Sequence, residues 1–461
     1  MHGISNCMKT CLTQKDRRTL REDHSSFAGF FKIANHFFPH LSEQFNNMSD
    51  PRHQSYIIYP QSALIMEMIL MHNAGINSMR GMTRQFNTSE FIHNLGVISK
   101  AEHLIEKPDW QTINNYLERL KNCELEEVRY DLIRKLIRTR QFEDNTVDGA
   151  YCIIIDGTDI AYFRKPHCEH DLVKKTTDKE TGQITYQYFH KALEAKIILG
   201  PGLVLSVATE FIENEDANVT KQDCEIKAGF RLLDKIKNAF PRLNIIIVGD
   251  ALYSVMPFMK AVREKKWHYI FRIKAGRQEK LFDDFEDLLH QIGKDEKVMN
   301  ACENESGIGL FVNHVEQVTD KSEVCNMYRY TSNEKATKQF DWVTDIELTK
   351  KNLKKMIKAG RGRWKIENDG FNVQKNGIYH LEHHCSLNWN AMKNHYLIIQ
   401  IAHILMQLYM AYDHIIFRLK EGIKHTAANL LSSVTGCSIT ETELEFAHRK
   451  TALHLCILLV N

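Results

Sequence analysis

The chain has 461 residues, 43% of them hydrophobic, and a formal net charge of +2 at pH 7. That length suits two to four domains, or one catalytic domain with additions, and the apolar content is ample for a core, while the near-neutral balance removes bulk charge as a pointer to nucleic acid. The 11 cysteines are scattered and odd in number; with no secretory apolar region at the N-terminus they read as reduced intracellular thiols, and no run of apolar residues is long and uncharged enough to span a membrane.

Residues 1–50 open with a polar arm carrying Lys15, Arg17, Arg18 and Arg21. The aromatics Phe27, Phe30, Phe31, Phe37 and Phe38 then mark a packed helix. Asp50-Pro51-Arg52 is a turn, and Leu64, Met68, Ile69 and Met71 carry helical periodicity through 60–95. Pro108-Asp109-Trp110 opens a short helix bearing Gln111, Asn114, Asn115 and Arg119. Its amides suit adenine edges, although an ordinary surface helix is the commoner case. A further helix covers 125–143, and Glu143-Asp144-Asn145 begins a linker.

Two short β-branched runs follow, each closed by an aspartate. Tyr151-Cys152-Ile153-Ile154-Ile155 ends at Asp156, and Ile245-Ile246-Ile247-Val248-Gly249 ends at Asp250. Both read as fully buried strands. Between them lie two strands at 193–199 and 203–211 around Gly200-Pro201-Gly202, then a helix over 220–239. A helix over 255–266 and a strand from His268 to Ile273 come next. A local basic cluster runs through Lys260, Arg263, Lys265, Lys266, Arg272, Lys274, Arg277 and Lys280. Residues 275–340 interrupt, with β-like runs at 309–318 and 324–331. The separation of Asp250 from the next carboxylate of interest, Glu367, is too long for one strand–helix connection and argues for an inserted subdomain.

Glu367 stands in a basic helix. Lys350, Lys351, Lys354, Lys355, Lys358, Arg361, Arg363 and Lys365 occur with no acidic residue among them. Thr349 is a plausible N-cap, and the α-helical period predicts Gly360, Arg363, Glu367 and Gln374 on one face, flanked by Trp364 and Phe371. An aspartate after a buried strand is often only a cap or turn former, and a basic helix is usually a solvated face. Three carboxylates in order, the last beside a guanidinium, point further. Carboxyl ends of strands are where open α/β sheets gather ligands. Such an oxygen-rich set suits hard divalent ions, and Arg suits phosphate.

Weaker constellations are present. His167-Cys168-Glu169-His170 has metal-like spacing, yet no second pair lies at zinc-finger distance, so a loop without metal is expected. Cys7 and Cys11 also lack a partner pair. His380, His383 and His384 are either structural or phosphate contacts, Trp342 reads as strand core, and Asp159 as a turn brace ranked behind Asp156.

At Ile155-Asp156-Gly157-Thr158-Asp159, Val248-Gly249-Asp250-Ala251-Leu252-Tyr253 and the block GRGRWKIENDGFNVQKNGIYHLEH from Gly360 to His383, the chain resembles the DDE transposases of bacterial insertion sequences. The resemblance spans roughly residues 30–420. It implies an α/β fold, an RNase H-like mixed sheet with flanking helices interrupted by a β-rich insertion, plus helical N- and C-terminal regions. The implied organisation is a helical, DNA-binding region at 1–145, catalytic segments at 150–274 and 341–385, an insertion at 275–340, and a helical region at 386–461. It also implies Asp156, Asp250 and Glu367 as catalytic, metal-holding residues for two Mg²⁺ or Mn²⁺ ions. Arg363, Lys365, Lys375, Lys358 and Arg361 are the expected DNA contacts. The implied activity is cleavage and strand transfer at element ends, with terminal inverted repeats and target DNA as partners. A homodimer on paired ends, no membrane, and a bacterial cytoplasmic, nucleoid-associated location complete the expectation. The family's Tyr-x₂-Arg-x₃-Glu-x₆-Lys signature is met at Arg363 and Glu367. Gly360 stands at the Tyr position and Gln374 at the Lys position, with Lys375 one step later. The helix 396–412, apolar on several faces, is expected to pack partly on the catalytic domain and to leave a face for a partner or the N-terminal region. Two other readings stand beside this one. A co-opted transposase would only bind DNA, and a phosphatase of the haloacid dehalogenase type would need an Asp where Thr158 stands.

Overall fold

The computed structural model describes residues 24–453, apart from residues 102, 217, 275, 277–278, 294–295, 300, 302–305, 317–323, 334–337, 414–415, 417–418 and 451–452. The Lys15–Arg21 basic arm, Cys7, Cys11 and Arg277 therefore lie outside the described residues. The chain divides into two compact units. One is Met1–Tyr116 with Gly377–Tyr379 and Ala402–Asn461; the other is Leu117–Asn376 with His380–Ile401.

The first unit begins with α1 (Ser26–Phe37), α2 (Leu41–Asn46), α3 (Gln61–Asn73), α4 (Met79–Gln85), α5 (Ser89–Ser99) and α6 (Trp110–Leu117). Side-chain caps set the starts of several of them: Ser25 accepts from the Ala28 N–H, Ser78 from Gly81 and Thr88 from Phe91. Helix α3 is buried along its whole length, as its continuous apolar run dictates.

The second unit starts with α7 (Asn122–Arg138) and then β1 (Tyr151–Phe163), β2 (Leu172–Thr177), β3 (Ile184–Gly200) and β4 (Leu203–Ile212). The β3–β4 turn needs the left-handed backbone of Gly202, at φ +71°. Helix α8 (Glu225–Ala239) leads to β5 (Ile245–Gly249), α9 (Met256–Glu264) to β6 (His268–Ile273), and α10 (Glu279–Leu289) precedes β7 (Val298–Met299), β8 (Gly307–Glu316), β9 (Val324–Ser332) and β10 (Gln339–Thr344). Helix α11 (Leu353–Arg361) and two π-helical stretches, Ile366–Phe371 and Val373–Gly377, follow.

All ten strands among the described residues join one sheet in the order β2-β3-β1-β5-β6-β10-β9-β8-β7, with β4 also on β3. The spatial series β4-β3-β1-β5-β6, antiparallel through β3 and parallel from β1 to β6, is the RNase H-like arrangement. The inserted strands extend this sheet, because β10 pairs with β6 on one edge and β9 on the other. Alternation along the strands separates two layers. Ile154, Val248 and Ile270 pack with Trp342, Met356, Ile357, Ile366 and Phe371 on one face. Phe271, next to Ile270, instead meets Tyr253 and Phe258. Trp342 is strand core, as its sequence context predicts.

Helix α12 (Trp389–Tyr412) contributes residues to both units, and α13 (Ile423–Gly436) and α14 (Glu441–His448) complete the first. There Asn94 donates to the carbonyls of Val434 and Cys437 at 2.9 and 2.8 Å, so residues from both chain ends share one core. Leu397, Ile398, Ile401, Ile404, Leu405 and Leu408 of α12 are all buried. Of the two uses expected for its remaining face, a partner or the N-terminal region, the second is met: Tyr409 donates to the Ser26 carbonyl at 3.0 Å and Tyr412 packs on Phe37 within the first unit. Among the described residues, no helix is long and apolar enough to cross a membrane.

Candidate active site

Strand register places the two aspartates side by side. Ile154 pairs with Val248 in parallel register, and Asp156 and Asp250 each stand two residues further on. Neighbouring strands lie about 4.8 Å apart, so both carboxylates emerge at the same sheet end, on the face that carries Ile154 and Val248. Asp156 is 21% exposed and accepts from Arg363 Nη1 at 3.0 Å through Oδ2. Its Oδ1 accepts from the Gly157 N–H at 3.0 Å. Burial pushes the Asp156 carboxyl up to about 6; Arg363 opposes this, while the charges of Glu225 and Asp250 reinforce it. Asp250 is fixed by its own turn, its Oδ1 accepting from Leu252 N–H at 2.8 Å.

Glu225 is the residue that sequence reading missed. The helix expected from residue 220 begins at Glu225, which puts this carboxylate in the first turn beside the strand ends. Lys191 Nζ lies 2.7 Å from its Oε2, and the Tyr253 hydroxyl donates to Oε1 at 2.9 Å. A Cβ at Gly157 would fall 2.5 Å from Glu225 Oε2 and 2.6 Å from Lys191 Cε, so the Glu225–Lys191 pair lies directly against this glycine. The usable signal was Gly157 directly after the strand aspartate. Asp159 accepts from the Tyr162 hydroxyl, in keeping with a local brace.

The Glu367 segment departs from a continuous α-helix. Helix α11 starts at Leu353, after Thr349 Oγ1 has accepted from the Asn352 N–H at 3.2 Å, and it ends at Arg361. The backbone turns at Gly362 and continues as π-helix from Ile366. The wider π turn abolishes the 3.6-residue spacing, so Gly360, Arg363, Glu367 and Gln374 do not form one face. Gly360 is buried, and a Cβ there would meet Trp342 at 2.7 Å and the Tyr328 hydroxyl at 2.9 Å. This explains why a tyrosine cannot stand at that signature position. Gln374 is fully buried and donates to Gln400 at 2.8 Å, while Gln400 also accepts from Lys196 Nζ at 2.9 Å. Burial lowers Lys196 to about 8.

Of the expected cationic contacts, Arg363 reaches Asp156, Lys375 pairs with Glu382 at 2.9 Å, and Arg361 lies over the rings of Tyr330 and Phe340. Lys358 is exposed and Lys365 half-buried, and burial raises the Asp369 carboxyl against the opposing charge of Lys365. Glu367 and its neighbour Trp364 are exposed, on the π-helical region that packs against β1 and β4. Asp156, Asp250 and Arg363 thus meet at one sheet end, Glu225 lies against the adjacent Gly157, and the Glu367 side chain is exposed. His384 stacks on Phe163 with centroids 4.9 Å apart, and His383 lines a small pocket with Ile160 and His395. In the 167–170 segment, His170 bonds the Asn214 carbonyl at 2.8 Å, while His167 and Cys168 turn toward Asp171 and His190.

No characterised protein sequence matches the chain. Among solved structures, the cryo-EM structure of a piggyBac transposase synaptic complex with hairpin DNA is similar, with 11% identity and a TM-score of 0.41, over 92% of this chain and 82% of that chain. Residues 148–405 match the family described as the transposase DDE domain, and the matched span contains both strand aspartates, Glu225 and Glu367. Since that match takes in more than half of the sequence, this chain belongs to the transposase DDE domain family.

Proposed function

We propose that the chain is a divalent-metal-dependent DNA transposase, with Asp156, Asp250 and Glu367 as its metal-holding carboxylates. The observation that carries this reading is the matched register of Asp156 and Asp250; burial pushes the Asp156 carboxyl up to about 6, and the charges of Glu225 and Asp250 add to this. A site that crowds carboxylates is relieved by a hard cation, and oxygen donors at a sheet end fit Mg²⁺ or Mn²⁺. When bound, two such ions supply Lewis-acid activation and neutralise charge on the attacking and leaving oxygens. Asp156 is presented by its strand and Asp250 by the turn that follows β5. Glu367 completes the set from the helical layer.

The reaction is hydrolysis of a phosphodiester at an element end, releasing a 3′-hydroxyl, followed by attack of that hydroxyl on a second phosphodiester. Arg363 holds a DNA phosphate near the scissile bond once it leaves Asp156, with Lys358, Arg361, Lys365 and Lys375 tracking the backbone. The segments 1–145, 150–274, 275–340, 341–385 and 386–461 then serve as DNA-binding, catalytic, inserted, catalytic and C-terminal parts. DNA with terminal inverted repeats and target DNA are the partners, a homodimer bridges two ends, and the setting is the bacterial cytoplasm.

The test incubates the purified chain with DNA fragments carrying the ends of the element that encodes it. Cleavage with Mg²⁺ or Mn²⁺, and binding with little cleavage in Ca²⁺, is expected. Full nicking in excess chelator overturns the metal dependence, and binding without cleavage under every condition leaves only a DNA-binding protein. A covalent phospho-aspartate on Asp156 would favour the phosphatase reading, which Thr158 already opposes.

A further inference from the structure

A second cluster of metal-type ligands lies further along the strand that carries Asp156. It consists of His167, Cys168 and Asp171 from the loop after β1 and His190 from β3, and one ligand atom from each lies within 4.8 Å of all the others. His190 is paired with Ala161 across the β1–β3 ladder, so the cluster sits at the outer end of β1. The loop and the strand are brought together by the fold, which is why no second pair is visible near His167 in the sequence.

Three of the six spacings, those among Cys168, Asp171 and His190, have the dimensions of a coordination shell. Cys168 Sγ is 3.6 Å from His190 Nε2 and 3.5 Å from Asp171 Oδ1, and His190 Nε2 is 3.3 Å from Asp171 Oδ1. A tetrahedron built on bonds of about 2.0–2.3 Å has edges of about 3.3–3.8 Å. The donors are also held in place beforehand. Asp171 Oδ2 accepts from the backbone N–H groups of His167 and Cys168, which leaves Oδ1 aimed at the cluster. Asn214 grips the Asp171 carbonyl at 2.6 Å. His190 is fully buried and stacked on Trp389 at 3.7 Å, and His167 is stacked on Phe163 at 4.0 Å. His167 Nδ1 and His190 Nδ1 are both buried with no hydrogen-bond partner among the described residues.

We infer that His167, Cys168, Asp171 and His190 form a structural zinc site, separate from the carboxylate site at Asp156 and Asp250. Two imidazoles, one thiolate and one carboxylate form a closed set of four, and this mixture of nitrogen, sulfur and oxygen suits Zn²⁺ rather than Mg²⁺. The site closes the base of the β2–β3 hairpin. Asp171 immediately precedes β2, and His190 follows the exposed part of β3 that carries Ile184 and Tyr186. The hairpin also presents exposed Lys174, Lys175 and Lys179 together with exposed Asp178 and Glu180. Zinc therefore fixes a charged, solvent-facing arm relative to the strand that bears Asp156.

The test measures metal content of the full-length chain purified under reducing conditions and desalted after mild chelation. About one zinc per chain is expected. It should be lost in Cys168→Ser and in Asp171→Asn and kept in Asp250→Asn. Exchange with Co²⁺ alone provides a readout that needs no variant: a thiolate-to-cobalt charge-transfer band and the intense visible bands of tetrahedral cobalt should appear. Wild-type protein that holds no zinc and shows no such band with Co²⁺ overturns the inference, as does a folded Cys168→Ser variant with unchanged zinc content. In the first case the four groups are a hydrogen-bonded cluster only. If Cys168→Ser fails to fold, the cobalt spectrum of the wild type decides.

Discussion

Asp156 and Glu367 are carried by two different kinds of backbone. Asp156 extends a strand paired on both edges, with β3 on one side and β5 on the other, and its position follows from ladder register. Glu367 sits on π-helical turns after a break at Gly362, on a layer anchored through Ile366 and Phe371. A strand ladder fixes a side chain to within one residue, since a one-step slip sends it to the other face. A π turn sets its side chains by local packing, and such turns gather at functional sites. The aspartates are therefore the rigid half of the proposed site, and Glu367 with Arg363 is the adjustable half.

The largest effect should come from removing single carboxylate charges. Asp156→Asn, Asp250→Asn and Glu367→Gln should each lower strand cleavage on the order of a thousandfold, since lost metal coordination costs several kcal/mol in the transition state. End binding should stay nearly unchanged, because phosphate contacts carry most of the affinity. Glu225→Gln is the informative companion, because Glu225 already acts on Asp156. A thousandfold loss in Glu225→Gln with near-normal cleavage in Glu367→Gln would transfer the third position from the helix to Glu225.

The next effect tests the packing that shapes the helical half. Restoring the family's tyrosine by Gly360→Tyr should destabilise the protein by about 1–3 kcal/mol, the usual cost of overpacking. The reason is the wall of Trp342 and Tyr328, both buried, that a side chain at this position would strike. Denaturant melts at constant m-value read it directly, and unchanged stability would show that the Trp342 layer yields.

Much of this molecule was legible before any coordinates. The runs ending at Asp156 and Asp250 are so β-branched and apolar that strands were the only economical reading, and parallel pairing put their ends together. The insertion was legible as extra β structure but not as a continuation of the same sheet, because edge pairing of β10 with β6 depends on contacts distant in sequence. The π-helical turns were hidden, since nothing in the 366–377 composition distinguishes them from an α-helix. Glu225 and the His190 half of the second cluster were hidden for a similar reason. Glu225 at a helix start and His190 on a strand each meet partners distant in sequence, which a linear scan for spacing does not see.

A smaller effect concerns acidity at the rigid half. The Asp156 carboxyl sits at about 6 in the fold against an ordinary value of 3.8, so the metal-free fold favours the protonated form. A carboxyl raised in this way contributes stability that is fully present below its unfolded value and is lost as pH rises through about 6. Metal-free protein should thus lose roughly 1–3 kcal/mol between pH 4 and pH 7 from this group. Asp156→Asn should remove that loss, and Mg²⁺ should stabilise the wild type more at pH 7.5 than at pH 5. Thermal melts across pH, with and without Mg²⁺, check it; stabilisation by Mg²⁺ that ignores pH would place the ion elsewhere.

The smallest effect separates the two roles open to Arg363. In the free chain its guanidinium sits 3.0 Å from Asp156 and occupies the place of a positive charge beside that carboxylate. In the proposed complex it turns to a DNA phosphate instead. If the phosphate role holds, Arg363→Ala should lower cleavage by about tenfold or more, and it should flatten the logarithmic salt dependence of binding by about one unit of slope. Arg363→Lys should keep the slope and recover only part of the cleavage, because a point charge replaces a planar fork. If Arg363 serves only as a partner for Asp156, both variants should leave the slope unchanged. Arg363→Ala should then raise the Asp156 carboxyl still further, moving the pH at which Mg²⁺ begins to stabilise the fold upward from about 6. Salt titration of binding and Mg²⁺ melts on the same two variants therefore tell a DNA contact from an internal counter-ion.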